Sequence, residues 1–296
     1  MMRKLIYVSS SVCAACVAAS VGIAMSLSTL AFRPPRPPTY ELVAAAAGVF
    51  SFSDGWTPQT CLRVPRSPIR IAAPPPDAAV AAGLRASIVM LRESRAALHI
   101  KHARASSTKH FTLLFSHGTS FDLGMLRDHC VSLAALLGCD VLAYDYTGYG
   151  SSSSLTPTEA AANADAEAAL SHLVASGVPV TRIVLYGLSL GVGPTLHLAS
   201  GSGKNAAGVV LRSGYVSGSN VVFGPFAVFP FGAFNNRPRA LATTAPVLVI
   251  HGHKDELIGL WQAEKLAALC PAAVPSLLLP ERGHFNIEQA PECAAF

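Results

Sequence analysis

The feature that most constrains this chain is the pentapeptide Gly-Leu-Ser-Leu-Gly at residues 187–191. It follows an apolar run at residues 182–186 and precedes a helix-like stretch at residues 192–198. Between a strand and a helix, a serine flanked in this way sits in a tight, strained turn with its hydroxyl exposed above the edge of a sheet. The pattern predicts a nucleophile at Ser189. The alternative is an ordinary serine in a glycine-flanked turn.

Two further residues complete a set that can activate this serine. Asp255 lies just past a β-branched apolar run at residues 247–251, and His284 follows another apolar run and a glycine. Both therefore fall, like Ser189, at the carboxyl ends of predicted strands, where open α/β sheets bind ligands. A histidine takes the serine proton, while a carboxylate fixes the histidine tautomer and stabilises the imidazolium. The chain order Ser, Asp, His is that of α/β hydrolases.

The acid has two alternative interpretations. Asp255 also suits the N-cap of a helix over residues 257–269, and the adjacent Glu256 is a rival carboxylate. The position after the His-Gly pair favours Asp255 as the acid. Three other histidines lie near the same predicted face and are interpreted as loop residues without a catalytic role: His117, His251 and His253.

The loop that stabilises negative charge on a reacting carbonyl can also be placed. A predicted strand ends at residue 115 and is followed by Ser-His-Gly-Thr at residues 116–119. A His-Gly pair after this strand marks the loop that supplies one backbone N–H to an oxyanion hole, and the residue after the nucleophile supplies the other. We predict Thr119 and Leu190 as the two donors, with Ser120 as the alternative to Thr119.

The rest of the chain alternates strands with helices. An opening hairpin is predicted at residues 86–91 and 96–102, followed by strands at 111–116, 140–145, 181–186, 208–212, 246–251 and 275–280 and by helices near 124–137, 157–176, 190–200, 259–269 and from 286. This order predicts an α/β hydrolase fold with a mostly parallel, doubly wound sheet and an N-terminal hairpin. An aromatic, Gly- and Pro-punctuated insertion at residues 213–245 overhangs the serine in this arrangement. It fits a short lid or acyl-chain wall as well as a packed structural insertion.

The N-terminal part of the chain divides into two further segments. Residues 1–32 include 28 consecutive uncharged residues, enough for a membrane anchor, which needs about 20. The alternative is a signal peptide cleaved near residues 22–24. Residues 33–84 are predicted as an extended Pro- and Ala-rich connector, and residues 85–296 as the hydrolase domain. Because the predicted catalytic residues lie beyond residue 180, we expect residues 1–32 to be dispensable for the chemistry.

Charge and cysteine usage bear on the partners and the compartment. Residues 1–110 carry a net charge of +9 and residues 111–296 one of −4, and a basic segment beside an anchor suits an anionic cytoplasmic leaflet. An odd number of cysteines, seven, and the lack of an Asn-x-Ser/Thr sequon favour the cytoplasm over the secretory lumen. No aromatic-interleaved basic motif appears, so nucleic acid is not an expected partner. Cysteine and histidine never cluster at metal-ligand spacing, so no metal site is predicted.

From about residue 31 onwards, the chain resembles the family of alpha/beta hydrolase domain-containing proteins 17, which are protein depalmitoylases. The resemblance rests on Ala-Phe-Arg-Pro-Pro at 31–35, Pro-Thr-Tyr at 38–40, Leu-Phe-Ser-His-Gly at 114–118, Asp-Leu-Gly at 122–124, Tyr-Asp-Tyr-Thr-Gly-Tyr-Gly at 144–150, and the segments 185–191, 246–252 and 283–284. It implies a catalytic triad of Ser189, Asp255 and His284 and an oxyanion loop at Thr119. It also implies S-acylated membrane proteins as substrates, with no cofactor.

The chain departs from the family pattern at three places. The family carries a dense N-terminal cluster of palmitoylated cysteines, whereas here only Cys13 and Cys16 lie in the apolar segment, as candidate acylation sites or plain membrane-facing residues. Position 119 is threonine where the family typically has asparagine, and Phe285 replaces a polar residue after the histidine. These departures leave the chemistry intact and bear on the substrate. Two alternatives stay open: a membrane-anchored lipase or esterase acting on glycerolipids, and a non-catalytic scaffold.

Overall fold

The computed structural model describes residues 31–40, 49–51, 83–92, 95–102, 110–223, 234–287 and 290, with 49–51 and 222–223 as backbone alone. Within these ranges nine strands form one sheet: β1 (Val49–Ser51), β2 (Arg85–Met90), β3 (Ala96–Lys101), β4 (Thr112–Ser116), β5 (Asp140–Tyr144), β6 (Ile183–Leu188), β7 (Gly208–Arg212), β8 (Val247–Gly252) and β9 (Leu277–Leu279). The helices are α1 (Leu123–Leu137), α2 (Glu159–Ala175), α3 (Val192–Ala199), α4 (Gly218–Phe223), α5 (Arg237–Ala242) and α6 (Leu260–Leu269).

The sheet is mostly parallel, as the sequence predicts. Its strand order is β1-β2-β3-β5-β4-β6-β7-β8-β9. The first three strands and their junction with β5 are antiparallel, and every pair from β5 to β9 is parallel. The predicted hairpin is formed by β2 and β3. The α/β hydrolase fold is therefore confirmed.

The core lies on both faces of this sheet. Alternate side chains of a strand point to opposite faces, and Leu114 and Leu185 join one buried cluster while Leu113 and Tyr186 join the other. The first cluster includes apolar residues of α2, α3 and α6, and the second includes those of α1. The central strand β4 is buried along its whole length, which explains its continuous apolar sequence.

Two short helices in the insertion, α4 and α5, differ from the sequence prediction, which placed neither. The aromatic centre of the insertion, residues 224–233, lies outside the described residues, as does most of the final helix predicted from residue 286. At the end of that centre Phe234 is fully buried and packs against the first turn of α3. This contact favours structural packing at that end of the insertion.

Residues 31–40 pack onto the core of the fold, and we call this segment the strap. The sequence assigned its first two residues to the anchor and the others to the connector, yet Phe32 and Tyr40 are both buried. Residues 1–30, with Cys13 and Cys16, lie outside the described part of the chain. Among the residues that the structure does describe, no helix combines the length and the apolar character needed to cross a membrane.

Candidate active site

Ser189 lies in a sharp turn between β6 and α3. Its φ angle is 51°, in the left-handed region that non-glycine residues rarely adopt and that tends to mark functional sites. The flanking glycines make the turn possible, because a Cβ on Gly191 would lie 2.0 Å from the carbonyl oxygen of Ser116. A Cβ on Gly187 would lie 2.7 Å from Thr195 Oγ1. Glycine therefore stands at the two positions where the turn lies too close to other atoms for a side chain.

This crowding makes a testable prediction for Gly191→Ala. The added methyl group meets a backbone carbonyl of β4, which cannot rotate away, so we expect a loss of about 3 kcal/mol in the free energy of unfolding. The matched control is Gly208→Ala in β7, where the new Cβ would lie 3.6 Å from its nearest neighbour, Pro246 O. Urea denaturation of both variants tests the prediction, which is wrong if the two losses are equal.

His284 joins the serine to a carboxylate. Its Nε2 lies 3.1 Å from Ser189 Oγ, and its Nδ1 lies 2.8 Å from Asp255 Oδ2. With a proton on Nδ1, the ring donates to Asp255 and accepts the hydrogen bond of the serine hydroxyl. His284 is 4% exposed, the side chain of Asp255 is fully buried, and Ser189 is partly exposed. The three residues predicted from sequence thus lie in one continuous chain of hydrogen bonds, of which the serine end is partly exposed.

Asp255 has a second set of partners. Its Oδ1 accepts hydrogen bonds from the backbone N–H groups of Leu257, at 2.9 Å, and Ile258, at 2.8 Å. Burial alone would raise the pKa of Asp255, but its hydrogen bond with His284, the His284 charge and these N–H groups together lower the pKa below its ordinary value. Asp255 therefore caps a turn that precedes α6 and not the helix itself, whose N-cap is Gly259. The rival Glu256 is exposed, and among the described residues its carboxylate accepts a hydrogen bond from the backbone N–H of His284, at 3.5 Å.

His251 lies against Asp255, and sequence reasoning missed this contact. Its buried ring lies with Nε2 2.8 Å from Ile258 O and 3.5 Å from Asp255 Oδ2. Burial lowers its pKa, which favours the neutral ring as a donor to that carbonyl. The signal was its position at the end of β8, four residues before Asp255. On the other side, buried Arg212 donates from Nη2 to His284 O at 3.4 Å.

The predicted oxyanion loop is held by two tyrosines that sequence reasoning did not assign. Tyr146 donates from its hydroxyl to His117 O at 2.8 Å, and Tyr149 donates to Thr119 O at 2.9 Å. Both tyrosines belong to the run at residues 144–150 that carried part of the family resemblance. His117 is fully buried beside them, in keeping with a structural loop residue. The roles of the Thr119 and Leu190 N–H groups stay predictions.

The cysteines and the possible metal ligands in the described part of the chain suggest no alternative chemistry. The cysteines in the described part of the chain are Cys130, Cys139 and Cys270, all buried and unpaired. Burial raises the pKa of Cys130 to about 12 and those of Cys139 and Cys270 to about 11, so none is a thiolate near neutral pH. Over those same ranges no group of three or more His, Cys, Asp or Glu residues is placed to hold a metal ion.

The α/β-hydrolase class is defined by a serine on a strained turn near the middle of a mostly parallel sheet. A histidine and an acid follow at the ends of later strands. A sequence model described as the alpha/beta hydrolase family matches residues 113–243. The fold resembles the esterase Pf2001 of Pyrococcus furiosus, with a TM-score of 0.57 and 16% identity over 78% of this chain and 96% of that one. It also resembles a putative lipase from Acinetobacter baumannii, with a TM-score of 0.56 and 18% identity over 73% and 90%.

Sequence similarity is higher to one group of hydrolase-fold proteins. Over 187 residues, 62% of this chain, identity is 38% to alpha/beta hydrolase domain-containing protein 17C of Homo sapiens and 36% to its 17B. It is 38% to the protein aho-3 of Caenorhabditis elegans. The match covers 56%, 64% and 55% of these relatives, less than two thirds of their length. The resemblance predicted from the motifs is thereby confirmed.

Proposed function

We propose that this protein is a serine hydrolase that cleaves thioester-linked acyl groups from the cysteines of membrane-bound proteins. The observation that carries the proposal is the hydrogen-bonded chain Asp255–His284–Ser189, with the serine on a strained turn. A free serine hydroxyl is a weak nucleophile, and an imidazole within hydrogen-bonding distance, itself oriented by a carboxylate, is the arrangement that activates it.

The chemistry follows in two steps. Ser189 Oγ attacks the acyl carbonyl carbon while His284 Nε2 takes the hydroxyl proton, and the N–H groups of Leu190 and Thr119 stabilise the oxyanion. The C–S bond then breaks, and His284 returns the proton to the departing sulfur, which leaves as a cysteine thiol. In the second step His284 takes a proton from water, and the resulting hydroxide attacks the acyl-enzyme. The fatty acid leaves, and Ser189 Oγ regains its proton.

The substrate class is supported by surroundings of the site and by the relatives. The exposed ring of Phe285 lies 4.9 Å from the His284 ring and 6.4 Å from that of Phe121, an apolar surface suited to an acyl chain. The uncharged segment at residues 5–32 and the basic segment after it support attachment to a membrane, with the catalytic domain on the cytoplasmic side. The relatives 17C and 17B bear the name of the family that this chain resembles in its motifs, and that resemblance implies depalmitoylation.

The experiment is a panel of vesicle-bound substrates with one acyl chain, palmitoyl, and three linkages. These are an S-palmitoyl peptide, the same peptide with an O-palmitoyl serine, and a palmitoyl glycerolipid. Each kcat/KM is divided by the alkaline hydrolysis rate of the same substrate, because thioesters are intrinsically more reactive. We expect the thioester to be preferred by at least about tenfold, roughly 1.4 kcal/mol of differential transition-state binding. A glycerolipid preference would indicate a lipase, and no turnover would indicate a scaffold.

A further inference from the structure

The strap reaches directly into the predicted oxyanion loop. The side-chain hydroxyl of Thr119 donates to the carbonyl oxygen of Ala31 and accepts a hydrogen bond from the backbone N–H of Arg33 at 3.0 Å. Both strap partners are backbone groups, so the contact depends on the path of the strap rather than on its side chains. A hydroxyl at position 119 can serve as donor and acceptor at once, which is what these two partners require.

A buried aromatic contact holds the same end of the strap. The ring of Phe32 lies 6.3 Å from that of Tyr149 and 5.5 Å from that of Phe234. Tyr149 is the residue whose hydroxyl donates to Thr119 O at 2.9 Å. Thr119 is therefore fixed at its hydroxyl by the strap backbone and at its carbonyl by a tyrosine against which the strap packs.

The other end of the strap is fixed to the end of the same loop. Thr39 donates from its N–H to Asp122 Oδ2 at 2.8 Å and from its hydroxyl to Asp122 Oδ1. Asp122 is also the N-cap of α1, accepting from the N–H of Met125 at 3.2 Å. Tyr40 donates from its hydroxyl to the buried carboxylate of Asp145. The two ends of the strap are thus bonded to two places on the connection between β4 and α1, Thr119 and Asp122.

We infer that the strap positions the oxyanion loop, and that Thr119 is held for catalysis by its side-chain hydroxyl as well as serving through its backbone N–H. The inference rests on the proposed function, since it assigns a positioning role within that reaction. Removing one oxyanion donor costs about 10²–10³-fold in kcat, and a displacement of about 1 Å can cost about 10²-fold. We expect the loss of kcat caused by a loosened strap to lie at the lower end of this range or below it. It follows that residues 31 and 32 belong to the catalytic unit and not to a dispensable anchor.

The test compares Thr119→Val with Thr119→Ser in the full-length chain. Valine keeps the branched shape and loses both hydrogen bonds to the strap, whereas serine keeps them. With a small soluble ester we expect Thr119→Val to lower kcat by about 10- to 100-fold, with KM within about twofold, and Thr119→Ser to stay within about threefold of the native kcat. Phenylboronic acid, which forms a tetrahedral adduct on the serine, should bind Thr119→Val more weakly by the same factor.

The matched control is Thr158→Ala, which likewise removes a threonine hydroxyl, the one that accepts the N-cap hydrogen bond of α2 from Ala161 N. It should lower the melting temperature without changing kcat or boronate binding. A second variant, Phe32→Leu, loosens the strap with Thr119 intact and should lower kcat in the same direction. This variant carries the test if Thr119→Val does not fold.

Two outcomes separate the inference from the proposed function. If the native enzyme turns over ester and Thr119→Val lowers only the melting temperature, as Thr158→Ala does, the strap is merely structural and the inference is overturned. If the native protein neither turns over ester nor binds the boronate, the proposed function itself fails. A fall in kcat that serine restores, with a parallel loss of boronate affinity, supports the positioning role.

Discussion

Replacing Ser189 by alanine is expected to lower the hydrolysis of esters and thioesters by about 10⁴–10⁶-fold. The hydroxyl is the group that forms the acyl-enzyme, and neither His284 nor the oxyanion hole can replace it. Residual catalysis over water is expected from the oxyanion hole and substrate binding. Initial rates on a soluble ester and on a palmitoyl thioester measure the effect, and circular dichroism checks that the fold is kept.

The matched control for this change is Ser200→Ala. Ser200 lies just past the other end of α3, where its hydroxyl donates to Leu196 O at 2.8 Å. The substitution is chemically identical and removes a hydroxyl that also lies 3.2 Å from His197 O, so turnover should stay within about twofold and stability should fall by roughly 1 kcal/mol. If the two variants kept similar activity, Ser189 would not be the nucleophile.

The second large effect is expected for Asp255→Asn, a fall in kcat of about 10⁴-fold. The amide oxygen can still accept from the N–H groups of Leu257 and Ile258, so the local turn survives. The amide NH₂ group then faces His284 Nδ1 and donates to it, which leaves the ring proton on Nε2. A histidine with that tautomer cannot take the proton of Ser189. The measurement is kcat against pH on a soluble ester.

Glu256→Gln is the control for the acid. Glu256 lies next in the chain and is exposed, and within the described ranges its hydrogen bond is to the backbone N–H of His284 and not to the ring. Its substitution is expected to leave kcat within about threefold. The assignment of Asp255 would be contradicted if Glu256→Gln were the damaging change and Asp255→Asn the mild one.

The active-site arrangement could be predicted because it depends on local patterns and on one topological rule. The glycines at positions 187 and 191 mark a turn that is too crowded at these positions for a larger residue. Parallel strands place their carboxyl ends along one edge, so Asp255 and His284 could be located there without knowledge of any contact. The strands themselves are buried on both faces, and their continuous apolar runs mark them.

The strap could not be predicted from the same patterns. Its sequence is rich in proline, which by local rules indicates an extended connector. Its burial depends on partners far along the chain, since Thr39 bonds Asp122 and Tyr40 bonds Asp145. No sequence pattern in the strap or around Asp122 and Asp145 indicates that they pair. The expectation that residues 1–32 are dispensable considered only the positions of the triad and not the contacts of Ala31 and Phe32.

The helices α4 and α5 were missed for a different reason. Each has six residues, too few to show the 3.6-residue periodicity on which a helix prediction depends. They are also too short to be stable without tertiary packing. The role of His251 was missed because a lone histidine at a strand end is usually a packing residue. Only its distances to Ile258 O and Asp255 Oδ2 distinguish it.

The central claim is that Ser189 is the covalent nucleophile, and a fluorophosphonate probe tests it most directly. The full-length protein is incubated with the probe, and the adduct is located by mass spectrometry of its peptides. We expect one phosphonyl group, on the peptide that contains Ser189, and none on Ser189→Ala treated in the same way. Labelling of another residue, or labelling that persists in the alanine variant, would contradict the account.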